Sequence, residues 1–320
     1  MSWMHRATVV LIAVGALALA ACSGPVAPVP PTPIDSPDST PAPVPTWSFP
    51  EVPVDVADFP APPAEWWDPG YIVSDANFFD ANSMTVEEID SLIYRELPYC
   101  ATWHARSQMP NDSGLPYTCL KDRLWDIPYI DQPGDDGTQY CAPIAPATRV
   151  STGVVIATVA SACGISPKTL LVTLEKEMSL LTDPWPWEVQ FRSALGFACP
   201  DSAPCDPDFY GFVGQIYSAA RQFQVYVQRP ELFNFQAGTD NDVMFGTECH
   251  AGSIFIRNGP TAALYNYTPY QPNQFIVAGG GGESVCDAYG NYNFWKIWWN
   301  WFGDPQADDP ATARTMPEAG

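Results

Sequence analysis

The sequence predicts an α+β fold, mainly helical and stapled by disulfides, and three observations lead there. Capped helical patterns recur from residue 85 to residue 302. Short aromatic or β-branched runs separated by Gly, Asp and Asn are confined to one region, residues 233–257. Nine cysteines, less Cys22, leave an even set of eight: Cys100, Cys119, Cys141, Cys163, Cys199, Cys205, Cys249 and Cys286. An even count in an exported chain reads as four disulfides. Eight cysteines allow 105 pairings; sequence neighbours suggest 100–119, 141–163, 199–205 and 249–286. No C-x-x-C spacing exists and only 3 His are present, which argues against a zinc site.

The chain has 320 residues, 46% of them hydrophobic, enough for a sizeable core. Its net charge is −22, which argues against nucleic acid or an anionic membrane surface as a partner. With 12 Trp, 14 Tyr and 16 Phe the chain is rich in rings. Such rings fill cores, and they also pack on the C–H faces of sugars.

The N-terminus predicts export. Arg6 precedes an apolar run over residues 7–21, too short for a comfortable membrane span and the right length for a signal peptide. The run ends Leu19-Ala20-Ala21-Cys22, which resembles a bacterial lipobox. Residues 1–21 are thus expected to be removed and Cys22 to be lipidated, anchoring the chain to the outer face of the cell membrane. Residues 22–69 are dense in proline and read as an extended, disordered tether. At ~3.1 Å per residue it could reach on the order of 100 Å into the wall. A globular domain is expected over residues 70–303 and a disordered acidic tail over 304–320.

Within the domain, Thr85 and Glu88 form a capping box that starts a helix running to about residue 95. Residues 97–143 read as loop held by disulfides. Residues 148–163 (TRVSTGVVIATVASAC) read as a buried helix with a glycine cap at Gly164. Ser166 then caps a second helix, with Pro167 in its first turn, running to about residue 182. On it, Leu170, Leu171, Leu174, Met178 and Leu181 share a face. The helical wheel puts Glu177 at an edge of that face, slightly nearer the core than Glu175, and turns Lys176 away. A carboxylate at an apolar edge suits a general acid; two solvated carboxylates on an amphipathic helix is the other reading.

Further on, Asp208 is placed to cap a helix over residues 209–226. Residues 233–235, 243–245 and 253–257 read as two or three short strands. TAALYNYTPY (261–270) reads as a short helix stopped before Pro269, and GNYNFWKIWWNWF (290–302) as a terminal aromatic helix. The glycine run 279–282 lacks the G-K-[ST] of a phosphate loop.

Five stretches follow in order: Lys176-Glu177 after LLVTL, RSALGFACPD (192–201), YGF with QIYSAARQF (210–223), TAALYNYTPYQPN (261–273) and GNYNFW (290–295). Together they resemble a module of secreted actinobacterial proteins, often labelled hypothetical or hemagglutinin-related. That module resembles the lysozyme-like superfamily, which includes lytic transglycosylases. The likeness to the actinobacterial module covers residues 71–303. The likeness to the superfamily rests on a shorter pattern, a glutamate at the end of a helix, a Gly-containing turn after it and a later Tyr-Thr-Pro stretch, with one departure: Met178 follows Glu177 where the family has Glu-Ser. It implies a lysozyme-like helical core with a small β-hairpin subdomain, and Glu177 as the catalytic general acid on peptidoglycan glycan strands. It also implies substrate-binding roles for Tyr265, Tyr267, Tyr270, Asp201 and Tyr210, no metal or organic cofactor, and a monomer. If a second carboxylate is needed, Glu175, Asp201, Asp206 and Asp208 are the candidates. The reading from another class is a non-catalytic glycan-binding or adhesion module.

Overall fold

Two serine caps set the helices at the centre of the fold. In this computed structural model, residues 59–100, 118–200, 203–280, 284–308 and 310–317 are described, all within one compact unit, Pro53–Gly320. The expected signal peptide, Cys22, most of the tether and Asp201 lie outside the described residues. The architecture is α+β and mainly helical, with two small antiparallel hairpins. Helix α1 is Asp75–Phe79 and α2 is Val86–Glu96, entered through the Thr85–Glu88 capping box. Hairpin strands β1 (Trp125–Ile127) and β2 (Ala147–Val150) follow, then α3 (Thr152–Cys163) and α4 (Pro167–Met178).

Ser151 accepts a hydrogen bond from Val154 N at the start of α3, and Ser166 accepts one from Lys168 N at the start of α4. Gly164 closes α3 in the left-handed conformation, at φ 65°. Helix α4 is the central helix. It packs on α3, on α1 and on α9 (Gly290–Phe302). Because neighbours surround it, Thr169 to Glu175 are buried without a break. The two threonine hydroxyls there are satisfied: Thr173 donates to Thr169 O at 2.7 Å within the helix, and Thr169 donates to Phe78 O of α1 at 3.4 Å. The remaining helices are α5 (Glu188–Arg192), α6 (Phe212–Gln228), α7 (Gly259–Tyr267) and α8 (Gln274–Val277).

The second hairpin pairs β3 (Thr239–Met244) with β4 (Ala251–Ile256), in register from Thr239↔Ile256 to Met244↔Ala251. Residues 233–235 are not a strand. The Asn266 side chain takes both Phe235 N and Phe235 O, at 3.1 and 2.8 Å, so those groups are not offered to a ladder. Helix α6 starts three residues later than the sequence suggests. Asp208 does not cap it; Asp206 caps a short 3-10 turn instead, and Gly211 (φ 105°) turns the chain into α6. The β1–β2 hairpin falls in and beside the region expected to be loop.

All four cysteine pairings suggested by sequence neighbours are present: 100–119, 141–163, 199–205 and 249–286. Four such bridges suit an oxidising compartment. No helix among the described residues is long and apolar enough to cross a membrane.

The expected domain limits are too narrow at both ends. Phe59 packs edge-on to Trp301, Trp66 lies 5.1 Å from Trp299, and Trp67 lies 5.5 Å from Trp295. The chain after α9 also returns to the body: Pro305 O accepts from Ser74 N and from Asn77 Nδ2, each at 2.9 Å. Arg314 grips both carboxylate oxygens of Asp304 at 2.7 and 2.8 Å. Proline and acid content masked these aromatic and arginine anchors.

Candidate functional site

The end of α4 makes the site. Ser179 takes a left-handed conformation (φ 52°) after Met178 and stops the helix, four residues before the expected end. The following turn folds back over Glu175. Leu181 N donates to Glu175 Oε2 at 2.9 Å and the Thr182 hydroxyl to Oε1 at 2.5 Å. The Glu175 residue is 3% exposed. Burial pushes its pKa up to about 7, against the lowering effect of the Thr182 and Leu181 hydrogen bonds.

This corrects the wheel: Glu175, not Glu177, is the carboxylate turned into the core. A wheel rates one apolar face, whereas α4 is enclosed on nearly all sides. Its last turn opens toward residue 177, whose side chain is 24% exposed.

Glu177 lines a hollow of about 380 Å³ with Met178, Ser179, Thr182, Asp183, Pro184 and Gln190. Asp183 is committed within that wall, accepting from Trp185 N at 2.7 Å and from Gln190 Nε2 at 3.0 Å. Glu177 Oε1 pairs with Lys176 Nζ. Its Oε2 has no hydrogen-bond partner among the described residues and lies against Gly196. A Cβ at that glycine would stand 3.3 Å from Oε2, and Gly196 is itself left-handed at φ 69°. Of the described non-glycine residues, Arg149, Ser179 and Ala198 have a positive φ. Ser179 lines the hollow and Ala198 follows the Gly196 turn. Unusual backbone of this kind gathers at functional sites.

Lys176 does not point away as the wheel suggested. Its side chain is 3% exposed, and its ammonium donates to Thr268 Oγ1 at 2.8 Å as well as pairing with Glu177. The same ammonium lies 5.9 Å from the centre of the Tyr267 ring. The Tyr267 hydroxyl donates to Leu195 O at 2.7 Å, beside Gly196. Burial holds the Tyr267 phenol well above its usual pKa, and the Glu177 charge adds to that. Asn291 Nδ2 donates to Thr268 O and Tyr270 O at 2.9 and 3.2 Å, fixing the turn after α7. Gly290 leaves room for Thr268, whose Cγ2 would be 2.5 Å from an added Cβ. Residues from four of the five stretches thus meet around one carboxylate.

The other expected substrate residues among the described ones do not join it. Tyr265 is 0% exposed and packs on Phe235, so its ring cannot meet a ligand. Tyr270 turns to the second hairpin, its hydroxyl 3.2 Å from Thr247 Oγ1. Tyr210 is exposed, but it sits after the loop closed by Cys199–Cys205, at the end of the 3-10 turn Pro207–Phe209. Its hydroxyl donates to Cys205 O at 3.3 Å and the Arg192 guanidinium lies 5.0 Å from its ring. Asp206 and Asp208 do not line the hollow.

Sequence reasoning missed Lys176, Asp183 and Asn291. A lysine in a helix reads as solvated, and only the tertiary fold shows its stem running inward. Asp183 read as a helix stop. The one legible signal was Asn291, a polar residue at the start of an aromatic helix. No family model, no curated protein and no solved structure matches the chain.

Proposed function

We propose that this protein cleaves peptidoglycan glycan strands with a single general acid, Glu177, in a lysozyme-like fold held outside the cell membrane by Cys22. The observation that carries the reading is the state of the three carboxylates at the end of α4. Glu175 and Asp183 each have both oxygens taken by the surrounding backbone and side chains. Glu177 alone keeps an oxygen without a partner, on the wall of a hollow large enough for a sugar ring.

One available carboxylate suits transglycosylation rather than two-carboxylate hydrolysis. Glu177 in its acid form gives its proton to the glycosidic oxygen as the C1–O bond breaks. It then takes the proton of the sugar's own C6 hydroxyl as that oxygen closes on C1, leaving a 1,6-anhydro end and restoring the acid. Between these steps the carboxylate carries full charge, and Lys176, already in contact and fixed by Thr268, is placed to stabilise it. Tyr267 supports the Gly196 turn through Leu195.

The ion pair between Lys176 and Glu177 favours a second reading, a glycan-binding module without turnover. Incubating the full chain with purified peptidoglycan separates the two. The first reading predicts soluble 1,6-anhydromuropeptides. Reducing ends would point to hydrolysis. Sedimentation with the wall and no soluble product would leave the binding module.

A further inference from the structure

The remaining stretch of the resemblance, QIYSAARQF, does not touch the hollow, yet its first residue acts on it. Gln215 lies in the first turn of α6 and is 0% exposed. Its Oε1 accepts from Leu195 N at 3.2 Å and from Phe197 N at 3.0 Å. Its Nε2 donates to Phe197 O at 3.0 Å and to Phe209 O at 2.8 Å. The whole capacity of the amide is used, and every partner belongs to the loop between α5 and α6.

Three of those four bonds fall on the residues either side of Gly196. From the opposite side, the Tyr267 hydroxyl holds Leu195 O at 2.7 Å. Gly196 is therefore gripped between two elements, with its open face 3.3 Å from Glu177 Oε2 at the position a Cβ would take. Small displacements there go straight to the carboxylate, because no side chain intervenes. An apolar residue of similar size at 215 would leave two buried N–H groups unsatisfied, and the turn would shift to solvate them.

We propose that Gln215 is a positioning residue: it sets the Gly196 turn and, through it, the Glu177 carboxylate. Its effect on turnover rests on the reading of Glu177 as the acid. Its effect on the carboxylate does not.

The test compares the full chain with Gln215→Leu and with Gln215→Glu, which keeps both acceptor bonds. Three quantities are read: kcat and KM on peptidoglycan, the Glu177 side-chain carboxyl carbon resonance at one pH, and amide exchange at Leu195 and Phe197. For Gln215→Leu, kcat should fall on the order of 10²-fold while KM holds. The Glu177 resonance should move and both amides should exchange faster. Gln215→Glu should lie between. A role in folding alone would lower the melting temperature and leave kcat and the Glu177 resonance of folded protein as in the parent; that result overturns the proposal. If Gln215→Leu does not fold, Gln215→Glu carries the same comparison. If the parent chain shows no turnover, the enzyme reading fails by itself and the Glu177 resonance alone decides: a shift supports positioning, no shift overturns it.

Discussion

Glu175 and Glu177 stand two residues apart on one helix and live in opposite environments. Glu175 is sealed by the turn it nucleates; Glu177 faces the hollow. For Glu175 the consequence is a pH-dependent stability. Its folded pKa, raised to about 7 by burial, lies above the ordinary range of a glutamate. The folded state therefore holds the proton where the unfolded state has lost it. The contribution is full below the unfolded pKa and is lost as pH rises toward about 7, on the order of 3 kcal/mol in all. Glu175→Gln keeps an acceptor for Leu181 N, turns an amide N–H to the Thr182 hydroxyl oxygen in place of the bond that hydroxyl now donates, and carries no charge to bury. Urea unfolding at pH 5 and pH 8 should show the parent losing stability with rising pH relative to Glu175→Gln. Parallel behaviour of the two would contradict this account of the pair. The sequence showed two glutamates at the border of an apolar face and no more. Which one turns in depends on the Ser179 stop, and a left-handed serine leaves no mark in hydropathy.

At the scale of elements, the site joins the end of α4, the turn after α5, the end of α7 and the start of α9. Gly196 is the narrowest of these junctions. Gly196→Ala would force a Cβ into a left-handed residue, at roughly 1–2 kcal/mol, and against Glu177 Oε2. We expect a lower melting temperature together with a larger loss of turnover than the stability change explains. A variant that loses stability but keeps its rate would remove Gly196 from the site. The longer helices were legible: Thr85 and Ser166 cap two of them as read, and α9 spans the residues the pattern gave it. Helix α3 instead begins at Thr152 behind Ser151, because residues 147–150 pair as strand β2, and the short α1, α5 and α8 carry too few turns to show a period. The junctions were less so, because their partners lie far apart in sequence: Lys176 and Thr268 are 92 residues apart. Strand 233–235 failed for the same reason, since Asn266 claims its backbone from another element.

At the scale of the whole molecule, the fold is wrapped by its own ends. The aromatic run of α9 is covered by Phe59, Trp66 and Trp67, and the chain after α9 is clipped back by Asp304 and Arg314. A fragment of residues 71–303, the limits composition alone suggests, lacks both covers. It should melt more than about 5 °C below residues 53–320. Equal melting temperatures would show that the ends contribute nothing. The cysteine count, by contrast, was legible as four bridges, whereas their connectivity was one of 105 arrangements. The bridges present join neighbours in the cysteine order, the arrangement that sequence proximity suggested. Bringing one carboxylate with an unpartnered oxygen to a glycan strand is the role proposed for this body, and the parent chain against Glu177→Gln on purified peptidoglycan tests it most directly. Both should sediment with the wall and only the parent should release anhydromuropeptides, the variant falling by about 10²–10⁴-fold. Release at the parent's rate by Glu177→Gln, or no release by either, would contradict it.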